Sequence, residues 1–304
     1  MLFTNPVSGK NFAKDPAVIF FQDTYFLYHS LPPTPLCSGW SIGIATSPDL
    51  EHWSVVSQLL PTQPCEKNGI CAADAIVLNG RVHLFYQTYG NGKEDAICHA
   101  VSKDGIHFEK NPDNPVFRPE ETWCCGRAID ADVCVFHGKL LLYYATRDHA
   151  MEVQKIGGAW APVDSRFGRG DFQPLSGHSL LCPELKWEGK CTEAPASLVY
   201  RDKVYLFYGG SYNCTPQQIG CAVSSDGVFF ERVSCEPLLK KGPAGSWNAS
   251  ESGHPYAFAQ GNRYWLFFQG SPDGGETWYI SKAEILFEEN GPRLVPSPVE
   301  FSGH

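Results

Sequence analysis

DADVCVFHGKLLLYYAT, residues 130–146, reads as an apolar strand, a His-Gly turn and a second strand crowded with Leu and Tyr. A short polar turn between two runs rich in β-branched and aromatic residues is a β-hairpin signature. The same design occurs four more times: DPAVIFFQDTYFLYHS (15–30), DAIVLNGRVHLFYQT (74–88), EAPASLVYRDKVYLFYGG (193–210) and HPYAFAQGNRYWLFFQG (254–270). The first residues, Asp15, Asp74, Asp130, Glu193 and His254, are 59, 56, 63 and 61 positions apart. A near-constant period of that length marks a repeat architecture.

A second hairpin follows in most units: SIGIATSPDLEHWSVV (41–56), AICHAVSKDGIHFEK (96–110), IGCAVSSDGVFFERV (219–233) and TWYISKAEILFEE (277–289). Two hairpins per unit make a four-stranded antiparallel sheet, and cyclic repetition of such sheets is a β-propeller. The sequence therefore predicts one all-β domain over 1–304, a five-bladed propeller around a central channel with blades starting near 15, 74, 130, 193 and 254. The third unit is the least regular: MEVQKIGGAWAPVDSRFGRGDF (151–172) places Gly-rich and polar sequence where the second hairpin should be, and a long loop there is expected over a binding face. No sustained helical period occurs, and 29 Gly and 23 Pro interrupt the chain throughout, so helix content should be very low.

Composition narrows the partners. A formal net charge of −9 without Lys/Arg clusters argues against nucleic acid, whose phosphates demand concentrated positive charge. No apolar run approaches the ~20 residues of a membrane span, and the start, MLFTNPVSGKNFAKDP, lacks a signal-peptide pattern, so a cytoplasmic location is expected. The twelve cysteines lie partly inside apolar strand-like runs, as Cys134 and Cys221 do, and read as reduced, buried thiols. Zinc is not indicated, because no pair of CxxC elements exists and Cys124 and Cys125 are adjacent.

Asp15, Asp74, Asp130, Glu193 and His254 each begin the first strand of a unit. If that strand is innermost, all five side chains converge at one end of the channel. A lone Asp before a strand is ordinarily a turn residue bonded to nearby backbone N–H groups; five polar residues at one repeat position weigh against that explanation. Carboxylates brought together resist simultaneous ionisation, so one can stay protonated near neutral pH. Glycoside hydrolysis needs this pairing: one carboxyl to protonate the leaving oxygen and one carboxylate to activate water or attack the anomeric carbon.

These residues and their setting resemble family 43 of the glycoside hydrolases, five-bladed propeller enzymes acting on arabinose- and xylose-containing glycans, and the resemblance covers nearly the whole chain. The Asp-Pro of KDPAVIFF resembles the family's general-base motif and implies that role for Asp15. The Ile-Asp of GRAIDADVCVF implies a pKa-modulating Asp130, and TEAPASLVYRDKVYLFYGG implies Glu193 as general acid. The second-blade motif departs from the family's Ala-Pro-Asp, reading Ala72-Ala73-Asp74, and leaves Asp74 as a substrate contact or structural support. His254, in SESGHPYAF, resembles a fifth-blade histidine near a cation or its waters; the resemblance implies no cofactor for catalysis and admits a structural calcium at the central channel. Family members invert configuration, so Asp15 would activate water while Glu193 protonates the departing sugar oxygen. Trp40, in LCSGWSIG, is a candidate platform for a sugar face, with packing between blades as its alternative.

Other readings stay open. SPDGGETW (271–278) fits the Asp-box of sialidases but occurs once in full, its looser relatives SKDGIHF and SSDGVFF recur as hairpin turns, and no arginine cluster suited to a sialic-acid carboxylate shows in the sequence. A neighbouring five-bladed carbohydrate enzyme, such as a fructosidase, a neoagarooligosaccharide hydrolase or a glycan phosphorylase, is a closer rival. A non-catalytic carbohydrate-binding propeller is the alternative outside enzymology. An oligosaccharide is the expected ligand in each case, with no nucleic acid or membrane partner.

Overall fold

The computed structural model describes residues 1–301. They form five four-stranded antiparallel sheets, each built from strands consecutive in sequence. The innermost strands are Lys14–Phe21, Ile70–Leu78, Ile129–Phe136, Thr192–Tyr200 and Glu251–Gln260. Among the described residues the only helical elements are four three-residue 3-10 turns.

Each sheet lies between two others, so both of its faces must be apolar. Alternate side chains of one strand therefore serve different seams. In the first blade Ala17, Ile19 and Phe21 join a cluster with Val82, Leu84 and Tyr86 of the second. Val18 and Leu27 point the other way, to Phe258, Trp265 and Phe267 of the fifth. Three further seams complete the circle. Burial on both faces is why these strands read as continuous apolar runs rather than as polar-apolar alternation.

The Ser-x-Asp-Gly turns dock neighbouring blades. Ser102 and Ser224 accept the amides of Gly105 and Gly227 at 2.9 Å. The carbonyls of those glycines take the hydroxyls of Tyr28 and Tyr143, each in the preceding blade, also at 2.9 Å. Gly105 sits at φ +77°, and a Cβ there would meet the Phe26 ring at 2.9 Å, so both backbone and packing demand glycine. The full motif at 271–278 is likewise a turn, with Thr277 bonded through its amide and hydroxyl to Asp273.

The third blade corrects the sequence expectation. Gln154–Pro162 is its third strand and pairs with a two-residue fourth strand, Gln173–Pro174, so the second hairpin exists with a long connection. That connection does not cover the face bearing Asp130. Pro162 pairs with Lys139, which pairs with Phe136 at the opposite end of the innermost strand. The segment instead folds back on the second blade, where Phe167 packs edge-on to Phe85 at 5.5 Å and to His99 at 5.4 Å.

The circle is closed without strand exchange. Phe3 and Ile280 exchange two backbone hydrogen bonds of 2.8 Å, laying the N-terminal segment along the third strand of the last blade. Nearer the axis, the side chain of Gln269 in the last blade accepts the Asp15 amide of the first at 3.0 Å and donates to Glu251 at 2.7 Å. Gln269→Ala strands the buried Asp15 N–H and the buried Glu251 Oε1, whose partner oxygen keeps the Cys214 amide. We expect it to destabilise the fold by about 2–4 kcal/mol, from ~1–3 kcal/mol per orphaned group, read as a lowered denaturation midpoint with an unchanged m-value.

Candidate active site

Each innermost strand begins with the same irregularity. The ladder slips between Lys14 and Ala17, Cys71 and Asp74, Ile129 and Asp132, Glu193 and Ala196, and Gly253 and Tyr256, with one extra residue on the inner strand. This is a β-bulge, which frees a backbone amide and re-aims a side chain. The bulged residue is left-handed in all five blades: Asp15 (φ 51°), Ala72 (43°), Asp130 (51°), Ala194 (48°) and His254 (41°). Such backbone costs of order ~1–3 kcal/mol for a non-glycine residue and tends to occur at functional sites.

The bulge revises the expected ring of five. Asp15, Asp130 and His254 share the bulged position. Glu193 sits one residue earlier, in the register of Lys14, Cys71, Ile129 and Gly253, and Asp74 two residues later, in the register of Ala17 and Asp132. A strand advances about 3.3 Å per residue, so Asp74 lies one layer deeper in the channel than Asp15. It is buried there, accepting amides from its neighbour Ala75 at 2.8 Å and from Val133 of the next blade. Asp132 repeats the device, accepting the Ser197 amide of the fourth blade at 3.0 Å.

Four of the five freed amides are captured across blade boundaries. Ala72 donates to the Ser30 hydroxyl at 2.7 Å, Asp130 to Gln87 at 2.6 Å, His254 to Gln217 at 3.0 Å and Asp15 to Gln269 at 3.0 Å. Ser30, Gln87 and Gln269 occupy one register position, opposite the residue before the bulge. The third and fourth blades carry Ala145 and Gly209 there. Gln217 fills the space beside Gly209, where a Cβ would meet its side chain at 2.9 Å.

His254 joins the acids. Its Nδ1 lies 2.9 Å from Asp15 Oδ1 and its Nε2 3.5 Å from Glu193 Oε1. Glu193 is also bonded by the amides of Gln217, at 2.6 Å, and Gln154. Burial works against charge on His254, but Asp15 and Asp130 raise its pKa well above the ordinary histidine range. Burial alone would raise Asp15; the His254 imidazolium and the Lys14 ammonium outweigh it and hold this carboxyl below the usual carboxylate range. Glu193 is lowered in the same sense, with the His254 hydrogen bond and charge overcoming burial. Burial pushes Asp130 up to about 6, offset in part by His254 and reinforced by the charges of Glu193 and Asp15. The raised carboxyl of the cluster is therefore Asp130, whereas Glu193, expected to carry the proton, is shifted toward its ionised form.

Asp130, Glu193 and His254 each offer a ligand atom within 4.8 Å of the others. Both imidazole nitrogens face carboxylates, and an imidazolium has no lone pair to give, so the observed arrangement does not fit a calcium ligated directly by His254. Asp15, Asp130 and His254 line, with Pro16, Ala73, Ala131, Pro195 and Pro255, a cavity of about 30 Å³, room for about one or two waters. A concavity of about 720 Å³ lies elsewhere, between Phe117, Arg118, Arg169 and Phe172.

Trp40 is half-buried at the mouth, 5.6 Å edge-on from Phe12 and 5.1 Å from Tyr89. Phe12 approaches Trp278 at 6.4 Å, and the Lys14 ammonium lies over Trp278 at 4.3 Å. An aromatic wall thus runs from the second blade through the first to the fifth. Sequence reading missed Lys14, Arg127, Asp132, Gln154, Gln217 and Glu251 around the site. A signal existed for Lys14, a charge at the start of an apolar strand, and for Gln87 and Gln269, the repeated Gln of FYQT and FFQG.

A closed five-bladed propeller carrying a buried carboxylate cluster at its channel mouth is the framework of a carbohydrate-active hydrolase, and the comparisons with known proteins agree. The chain belongs to the glycosyl hydrolases family 43, whose family model matches residues 3–284. A thermostable family-43 glycoside hydrolase of solved structure superposes with a TM-score of 0.77 at 22% identity, covering 98% of both chains. An endo-1,4-β-xylanase from Bacteroides thetaiotaomicron gives 0.75 at 21% identity, covering 94% of both. At those identities the likeness shows the fold. In sequence, 131 residues are 33% identical to sucrose-6-phosphate hydrolase of Escherichia coli, 35% of this chain and 27% of that protein. The chain thus spans about a quarter of that relative.

The deeper acids give a stability test. Burial pushes Asp132 up to about 7, partly offset by Ser197, from an unfolded value near 3.8. A carboxyl raised in the folded state contributes most below the unfolded pKa and loses that contribution as pH rises through the folded one. Asp132→Asn, which keeps an acceptor for Ser197, should therefore match the wild type near pH 4 and exceed it at pH 8 by a few kcal/mol, at ~1.4 kcal/mol per pKa unit. Urea unfolding at the two pH values measures the difference.

Proposed function

We propose that the protein is an inverting glycosidase that removes arabinofuranosyl or xylosyl residues from oligosaccharides, with Asp15 as general base, Glu193 as general acid and Asp130 as the modulator of the acid. The observation that carries this reading is the placement of Asp15 and Glu193 on opposite nitrogens of one buried imidazole. A ring and two polar contacts between the carboxyls favour the inverting geometry, in which roughly 6.5–9.5 Å leaves room for a water.

Asp15, held ionised by His254 and Lys14, takes a proton from the attacking water as its oxygen bonds to the anomeric carbon. The glycosidic bond breaks on the other side, and its oxygen takes a proton from Glu193. Glu193 must be protonated at that moment, and Asp130, raised to about 6, is the neighbouring carboxyl able to keep a proton in the cluster. A charged sugar oxygen developing beside Glu193 favours transfer at the point of reaction. Solvent exchange then resets Asp15 and Glu193.

The match to sucrose-6-phosphate hydrolase favours a second reading, a fructosyl substrate. A panel of aryl α-L-arabinofuranoside, aryl β-D-xyloside, sucrose and sucrose 6-phosphate separates the two, with release of arabinose or xylose expected. NMR of the first-formed sugar should show the inverted anomer; retention would remove Asp15 from the base role. Asp15→Asn and Glu193→Gln should each lower kcat by ~10²–10⁴-fold with melting curves close to wild type, and a mild loss in both would remove the proposed roles.

A further inference from the structure

Arg127 precedes the strand that carries Asp130 by two residues and lies at the same end of the blade. It is about nine-tenths buried. A guanidinium has five N–H donors, and burial ordinarily obliges them to find acceptors. Arg127 has one contact, a 3.5 Å approach of Nη2 to Asp95 Oδ2, and its buried Nε has no partner. Other arginines near this face spend their donors: Arg118 bonds Glu94, Gly126 and Lys93, and Arg147 bonds Gln154 and Met151. Asp95, which faces Arg127, also takes the Thr88 hydroxyl at 3.5 Å, and Thr88 is flanked by Gln87, which accepts the Asp130 amide at 2.6 Å, and by Tyr89, the aromatic neighbour of Trp40. Arg127 thus stands between the carboxylate cluster and the aromatic wall with donors unspent.

We propose that Arg127 is a specificity-determining substrate residue that takes two adjacent hydroxyl oxygens of a neutral sugar held against Tyr89 and Trp40 beside Asp130. The planar fork of a guanidinium matches a pair of neighbouring oxygens. Neutrality follows from the surroundings: Asp95 offsets the charge of Arg127, and Asp15, Asp130 and Glu193 would repel a carboxylate or phosphate. The inference rests on the carbohydrate-hydrolase reading of this site and specifies which group reads the sugar.

The test is calorimetric titration of the whole protein with L-arabinose, D-xylose, D-fructose and D-fructose 6-phosphate, beside the hydrolysis panel. Arg127→Met should weaken binding of the preferred neutral sugar by ~10- to 100-fold, the worth of hydrogen bonds to a charged donor. Arg127→Lys keeps a cation beside Asp95 and should melt like wild type while recovering little affinity. With methyl glycosides of the preferred sugar, removing a hydroxyl that Arg127 holds should weaken wild type and leave Arg127→Met unchanged. Hydrolysis and binding unaffected by Arg127→Met would overturn the assignment while leaving the hydrolase reading intact. Sugar binding that depends on Arg127 in a protein that cleaves no glycoside would support the assignment and sink the hydrolase reading. Tighter binding of fructose 6-phosphate, lost in Arg127→Met, would replace the hydroxyl pair with an anion site, and binding of none of the sugars would overturn both.

Discussion

The structure depends on a backbone amide that has no partner in its own sheet. At the mouth of each blade the inner strand takes one extra residue, the bulged residue turns left-handed, and its N–H leaves the ladder. In four of the five blades a Ser or Gln of the preceding blade takes that N–H. A buried amide without an acceptor costs ~1–3 kcal/mol, so the latch is both a blade-to-blade bond and the condition for the bulge. The closing contact, from Gln269 to Asp15, joins the last blade to the first through the residue proposed to activate water.

The same bulge sets the chemistry. It aims Asp15, Asp130 and His254 at the axis while Glu193 reaches in from the position before its own bulge. Acids so close would raise one another's pKa values, and the buried imidazolium of His254 is what allows Asp15 and Glu193 to stay ionised together. Asp130, which lacks a direct ion pair, takes the rise. One layer down, Asp74 and Asp132 use neighbouring backbone amides instead of a cation, and burial there raises both. Similar residues on the same strands are thus divided by register alone into a cluster at the channel mouth and a stapling layer beneath it.

Much of this was legible in the chain. Hairpins repeating every 56 to 63 residues define a five-bladed propeller, because each sheet is short, apolar on both faces and unable to bury itself without neighbours. Asp15, Asp130, Glu193 and His254 were marked by their place at the start of each repeat. The third blade was harder to read, since Gln154–Pro162, with its paired glycines, has few of the usual strand markers and is held by pairing with Lys139–Arg147.

By itself, then, the sequence determined the fold, the end of the channel where the acids gather, and the family. Only the tertiary structure decided which acids meet. A bulge shifts register by one residue without changing the apolar pattern, so Asp74 looks equivalent to Asp15 on paper and lies a layer beneath it in space. Where the protons rest was also undecided, because the charge on Asp130, Glu193 and His254 depends on distances between blades that are far apart along the chain.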